Sequence, residues 1–235
     1  MEERLREQLE TVQRAAGEAD VPALLSALES ESPRVKIAAI EALGRIGGDK
    51  ASLALSRIAR ERYGQRPEVR IVALEALGWI YEPERYPDFL ESYISEENRK
   101  VVAGARKLLE RADPRGFPGR LARRGCLDQQ AIRVYGKARL SEVVPLLAAF
   151  VKDRVADGSF ASGAYWGKVC SAARALGAIG GDDARMALEG LIEAAESSGA
   201  GGFLEKERLE KIRQGAASAL ASAKEGEDGA EIEPG

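Results

Sequence analysis

The stretch from Pro33 to Ile46, PRVKIAAIEALGRI, returns thirty-four residues later as PEVRIVALEALGWI, Pro67 to Ile80. Nine of the fourteen positions are identical. Self-similarity at such a period marks a chain that stacks one small unit on the next, because a single unit cannot bury its apolar face alone. Each copy begins with a proline suited to a first helical turn and continues as a long apolar helix.

The leucine of the Ala-Leu-Gly triplet serves as an anchor for the rest of the chain. Further units align at Leu108, Tyr135, Leu176 and Leu220, after Leu43 and Leu77. The successive intervals are 34, 31, 27, 41 and 44 residues. Four residues before each anchor stands Ala39, Ala73, Gly104, Ala131, Ala172 or Ala216, small enough to let paired helices approach closely. Each unit supplies a preceding helix, expected over 49–64, 84–96, 116–125, 141–157 and 183–197. The fourth is expected to be stunted between its glycines and Pro118. Asp20, ahead of Val21-Pro22, reads as a helix N-cap, and Asp49 as a second cap after Gly47-Gly48. The same Gly-Gly-Asp punctuation recurs at Gly180-Gly181-Asp182, which makes it turn chemistry. GRIGGDKAS lacks the Gly-Lys-Ser/Thr of a phosphate loop. Glu2 to Ala16, with Leu5, Leu9 and Val12 on one face, reads as an N-terminal capping helix.

This pattern resembles HEAT repeats, especially the short HEAT-like kind first named from phycobilisome lyases. The resemblance spans roughly residues 20–223 and is sharpest where ALGxIG or ALGWI appears. It implies an all-α fold: a right-handed α-solenoid (α-α superhelix) of about six HEAT-like helix pairs with an N-terminal capping helix. The expected organisation is a solenoid domain over 1–224 and an acidic disordered tail over 225–235, EGEDGAEIEPG, too poor in apolar residues to offset ordering entropy.

The resemblance also implies that the second helix of each pair lines a concave inner surface. There, the positions two before and two after each anchor form one exposed stripe, four residues apart. The stripe reads Glu41 and Arg45, Glu75 and Trp79, Arg106 and Glu110, Arg133 and Lys137, Arg174 and Ala178, then Ser218 and Ser222. It begins mixed and becomes cationic. Asn98 to Arg139 holds twelve Lys or Arg against three acids, within a chain whose net charge is -3. A protein partner that is acidic where it meets repeats 3 and 4 fits that segregation. Trp79 is a candidate anchor for it. Tyr165-Trp166 reads as a helix-start packing pair rather than a base-stacking platform.

The chain contains no histidine. That excludes Ser-His-Asp and Cys-His catalysis and His-containing zinc sites. Cys126 and Cys170 make neither a disulfide framework nor a metal spacing. No membrane-spanning run or signal peptide is legible. The expectation is therefore a cytoplasmic, non-catalytic binding scaffold or assembly adaptor, with no metal and no cofactor. Two alternatives stand beside it. HEAT-like alkylpurine DNA glycosylases use a basic channel with a Trp, an Asp and an Arg, which Trp79, Asp113 and the arginines at 106, 133 and 174 could imitate. A bilin lyase or isomerase is the other, on fold analogy alone.

Overall fold

The structure, a computed structural model, describes residues 2–198 and 203–228, with side chains described for 2–198 and 206–221. Among them the chain is all-helical. Helix α1 spans Glu2–Gly17, α2 Val21–Ala27, α3 Pro33–Ile46, α4 Asp49–Arg60, α5 Pro67–Leu77, α6 Tyr86–Glu91 and α7 Arg99–Ala112. They are followed by α8 Phe117–Arg123, α9 Gln129–Ala138, α10 Val144–Ala156, α11 Trp166–Ile179, α12 Asp182–Ser197 and α13 Phe203–Asp228. Read in order, these are a capping helix and six helix pairs, α2–α3 through α12–α13.

The chain divides into two compact units, 1–117 and 118–235. In the first, α1 and the second helices α3, α5 and α7 pack successively as a row, and α2, α4 and α6 pack on α3, α5 and α7. In the second, α9, α11 and α13 form the row, and α10 packs on α12 behind it. The apolar periodicity explains the burial. Val35, Ala39, Ile40 and Leu43 of α3 and Val69, Ala73, Leu74 and Leu77 of α5 are buried at matching positions. Ala131, Ile132 and Tyr135 continue the pattern in α9, and Ala172, Ala173 and Leu176 in α11.

The glycine after the anchor sets how closely the rows stack. A Cβ added to Gly44 would lie 2.8 Å from the Cβ of Ala76. One added to Gly136 would lie 3.0 Å from the Cα of Ala175, and one added to Gly177 would lie 2.7 Å from the Cα of Ala219. The Gly-Gly turns need glycine for a different reason. Gly47, Gly48, Gly180 and Gly181 all have positive φ, between 74° and 93°, a backbone region other residues rarely adopt. The Gly47 and Gly180 amides close α3 and α11 by donating to the anchor carbonyls of Leu43 and Leu176.

Asp20 is an N-cap, its carboxylate accepting from the Ala23 amide at 3.0 Å. Asp49 is not: Gly48 occupies the cap position and Asp49 is the first helical residue of α4, where its charge complements the helix dipole. The first helix of repeat 3 is also shorter than expected, since regular helix ends at Glu91. Beyond it Glu96 turns inward to accept from the buried Arg70 guanidinium at 2.6 and 2.8 Å. Arg70 Nε donates to the Ala59 carbonyl at the end of α4. The fourth first helix is short, as expected, with seven residues. At the other end, α13 runs to Asp228, past the start of the tail expected from Glu225; residues 229–235 lie outside those described.

Candidate protein-binding surface

Burial fixes the register of repeat 3, and the register changes the stripe. Val101, Ala105 and Leu109 are each fully buried, spaced as Val35, Ala39 and Leu43 are in α3. The anchor of α7 is therefore Leu109, one residue later than the sequence alignment places it. Adjacent leucines at 108 and 109 make that slip possible. Ala105 replaces Gly104 as the small packing residue, and Gly104 instead abuts Ile71.

Arg106 consequently does not belong to the exposed stripe. It is 6% exposed, at the position of Ile40 and Leu74, and its Nη2 donates to the Ile94 carbonyl at 3.2 Å. Glu110 is exposed but also lies off the stripe, at the position of Gly44. The residues two before and two after the true anchor are Lys107 and Arg111, both exposed. Matching Val101 and Ala105 to Val35 and Ala39 finds them in the sequence.

In the first unit the stripe is thus Glu41 and Arg45, Glu75 and Trp79, Lys107 and Arg111. Glu41 and Glu75 are half-buried and Arg45 is exposed. Glu75 and Arg111 pair across α5 and α7 at 3.5 Å. A second bridge between the same helices joins Glu68 to Lys100 at 2.9 Å. The hydrogen bond from Lys100 holds the Glu68 carboxyl below its ordinary range.

Trp79 stands where Arg111 stands in the next repeat, and it is 53% exposed. Its placement depends on Gly44, whose added Cβ would fall 2.8 Å from the indole Cε3. The ring lines a cleft of about 320 Å³ with Glu75, Gly78, Tyr86, Leu108 and Arg111. Tyr86 is a fixed wall, since its hydroxyl donates to the buried Leu74 carbonyl at 2.9 Å. Burial raises its phenol above the ordinary range. The cleft so joins an exposed aromatic, an apolar floor and one charge of each sign.

In the second unit Arg133, Lys137 and Arg174 are all exposed, as expected. Arg133 and Lys137 enter no ion pair among the described residues, and Arg174 Nε donates to the Cys170 carbonyl at 3.1 Å. Asp113 is occupied by the fold: it ends α7 and its carboxylate accepts from the Gly116 amide at 2.9 Å. Cys126 is buried, and burial raises the Cys170 thiol, which makes it a poor nucleophile. No cluster of three or more metal-ligating side chains occurs among the described residues. Nor is any described helix long and apolar enough to cross a membrane.

A family model described as HEAT repeats matches this chain over residues 5–66 and 21–110. Residues 5–110 carry HEAT repeats. The match takes in Glu41, Arg45, Glu75, Trp79 and Lys107 and stops one residue short of Arg111. No curated protein sequence matches the chain. Among solved structures, human deoxyhypusine hydroxylase in complex with glycerol aligns at 18% identity and a TM-score of 0.38, covering 95% of this chain and 97% of that one. An engineered protein aligns at 17% identity and a TM-score of 0.32, covering 91% and 89%. Likeness at that level transfers no activity to this chain.

Proposed function

We propose that this chain is a non-catalytic scaffold or assembly adaptor that holds a protein partner on its row of second helices. The observation that carries this reading is Trp79, a half-exposed indole seated over Gly44 in a cleft of mixed charge. Tryptophan and arginine are enriched among residues that dominate binding energy, particularly where a pocket lets them be desolvated. Here Trp79 and Arg111 share one such pocket. The reading places the partner in the cytoplasm with the chain and makes it acidic where it meets the basic residues of the second unit. Burial of Arg106 and pairing of Arg111 weaken that acidic match at repeat 3 and leave it to Arg133 and Lys137 of repeat 4 and Arg174 of repeat 5.

The absence of histidine supports a non-catalytic role, as do a buried cysteine and a second whose thiol is raised by burial. A nucleic-acid channel of the glycosylase kind loses two of its candidates, because Arg106 and Asp113 are engaged within the fold. The test is a pull-down from native lysate, divided into nuclease-treated and untreated halves. A stoichiometric protein recovered in both halves by the wild type, and lost with Trp79→Ala, is the expected result. Recovery that disappears with nuclease would replace this reading with nucleic-acid binding.

A further inference from the structure

The second unit carries a groove that the stripe alone does not reveal. It encloses about 390 Å³ and is lined by Gln129 of α9 together with Trp166, Gly167, Lys168, Cys170 and Arg174 of α11 and its approach. Gly136 against Ala175 holds the two helices close, and Gln129 Nε2 donates toward the Ser171 hydroxyl at 3.4 Å. Gln129, Arg133 and Lys137 are spaced four apart and so lie along one face of α9. Cys170 and Arg174 are likewise four apart on α11. Gln129 and Arg174 line the groove itself, and Arg133 and Lys137 continue the Gln129 face of α9 beyond that lining.

The charge on these two helix faces is of one sign. Arg133, Lys137, Lys168 and Arg174 enter no ion pair among the described residues. Lys211 of α13, near enough to act on the Cys170 thiol, is itself paired with Glu207 at 2.6 Å. The contrast with the first unit is direct, since there Glu75 and Glu68 neutralise Arg111 and Lys100 across the same kind of helix pair.

We infer that the α9–α11 groove docks an acidic peptide segment, its carboxylates taken by Arg133, Lys137 and Arg174 and an apolar residue laid against Trp166. The inference rests on the scaffold reading and gives its partner a chemistry. Guanidinium groups match carboxylates in planar, two-bond geometry, which suits Arg133 and Arg174. Peptide is favoured over nucleic acid because both aromatics here already hold cations on their rings. Arg208 lies 5.9 Å from the Trp166 ring centroid and Arg154 lies 4.8 Å from that of Tyr165, so at most one face of each ring remains, room for a single apolar side chain but not for the succession of stacked bases a strand uses. The chain's net charge of -3 also opposes a long polyanion.

The test is fluorescence anisotropy with a labelled peptide of Asp and Glu around a central Leu. Parallel probes are its Asn/Gln counterpart, a Leu→Ser version and an oligothymidylate. The acidic peptide should bind at better than about 1 mM and weaken as salt rises. Arg133→Glu with Arg174→Glu should weaken it at least tenfold, roughly the effect of losing close charge pairs. The Leu→Ser peptide should bind more weakly to the unaltered protein, a comparison that no folding defect can disturb. Arg133→Gln and Arg174→Gln give a milder second pair, each checked by circular dichroism.

Equal binding of the Asn/Gln peptide, indifference to both variant pairs, or tighter binding of oligothymidylate would overturn the groove assignment. A lysate partner still recovered by wild type and lost with Trp79→Ala would then leave the scaffold reading intact.

Discussion

Two glycine-to-alanine substitutions in the second unit should change stability in opposite directions. Gly177 and Gly190 both sit inside helices, α11 and α12. Alanine is favoured over glycine in a helix interior by about 1 kcal/mol. At Gly190 nothing lies within 4 Å of an added Cβ, so Gly190→Ala should stabilise by about 0.5–1 kcal/mol. At Gly177 the new methyl would stand 2.4 Å from the Cβ of Ala219 and 2.6 Å from its carbonyl oxygen. Backbone cannot swing aside as a long side chain can, so α13 must shift bodily. Overpacking of this kind costs about 1–3 kcal/mol. Taking the upper half of that range and subtracting the propensity gain leaves Gly177→Ala destabilised by about 1–2 kcal/mol. Native-state hydrogen exchange reads the effect locally. Amides of α11 and α13 should exchange roughly 5–30 times faster in Gly177→Ala, while Gly190→Ala should slow exchange in α12. If Gly177→Ala protected α11 as Gly190→Ala protects α12, the close stacking of α11 on α13 would be refuted.

Three further outcomes follow from the packing. Leu77→Ala removes a fully buried anchor and should cost about 2–5 kcal/mol, with exchange protection lost in α3, α5 and α7; thermal unfolding unchanged from wild type would contradict the core assignment. Glu96→Ala strands the Arg70 guanidinium, whose side chain is 2% exposed, and should cost about 3–5 kcal/mol in urea unfolding, whereas Glu68→Ala, on the exposed Lys100 bridge, should change little. Because the carboxyls of Glu68, Asp157, Glu207 and Glu210 are all held below their ordinary range by hydrogen bonds, their contribution is present above the unfolded-state values and lost as pH falls through the lowered ones. The urea midpoint should accordingly drop on acidification, and less steeply when all four are replaced by amides.

The helical architecture was legible because it is written in apolar spacing and repeated punctuation. Pro33 and Pro67, the two Gly-Gly turns and the buried small residues all recur at corresponding places, and each has one local cause. Register in repeat 3 was less legible. Leu108 and Leu109 are equally good anchors by type; the Val101 and Ala105 spacing before Leu109 repeats that of Val35 and Ala39 before Leu43, and burial agrees, at 8% against 0%. That one-residue ambiguity turned Arg106 from a core residue into a supposed surface one and hid Lys107 and Arg111. Long-range partners were not legible at all. Nothing local to Glu96 signals that Arg70, twenty-six residues earlier, draws it inward, and nothing local to Trp79 signals its seat over Gly44. The α9–α11 groove was half visible: Arg133, Lys137 and Arg174 fall on the stripe, but Gln129, Trp166 and Lys168 join them only through the packing of two helices.

The central claim is that Trp79 anchors a protein partner on the row of second helices. The direct measurement is the dissociation constant of the partner recovered from lysate for wild type, Trp79→Ala and Leu53→Ala. Leu53 is the control, an apolar side chain 76% exposed on α4 and outside that row. The account predicts a loss of about 2 kcal/mol or more for Trp79→Ala, some thirtyfold in affinity, and less than about a twofold change for Leu53→Ala. Equal affinity for wild type and Trp79→Ala, or a larger loss for Leu53→Ala, would contradict it.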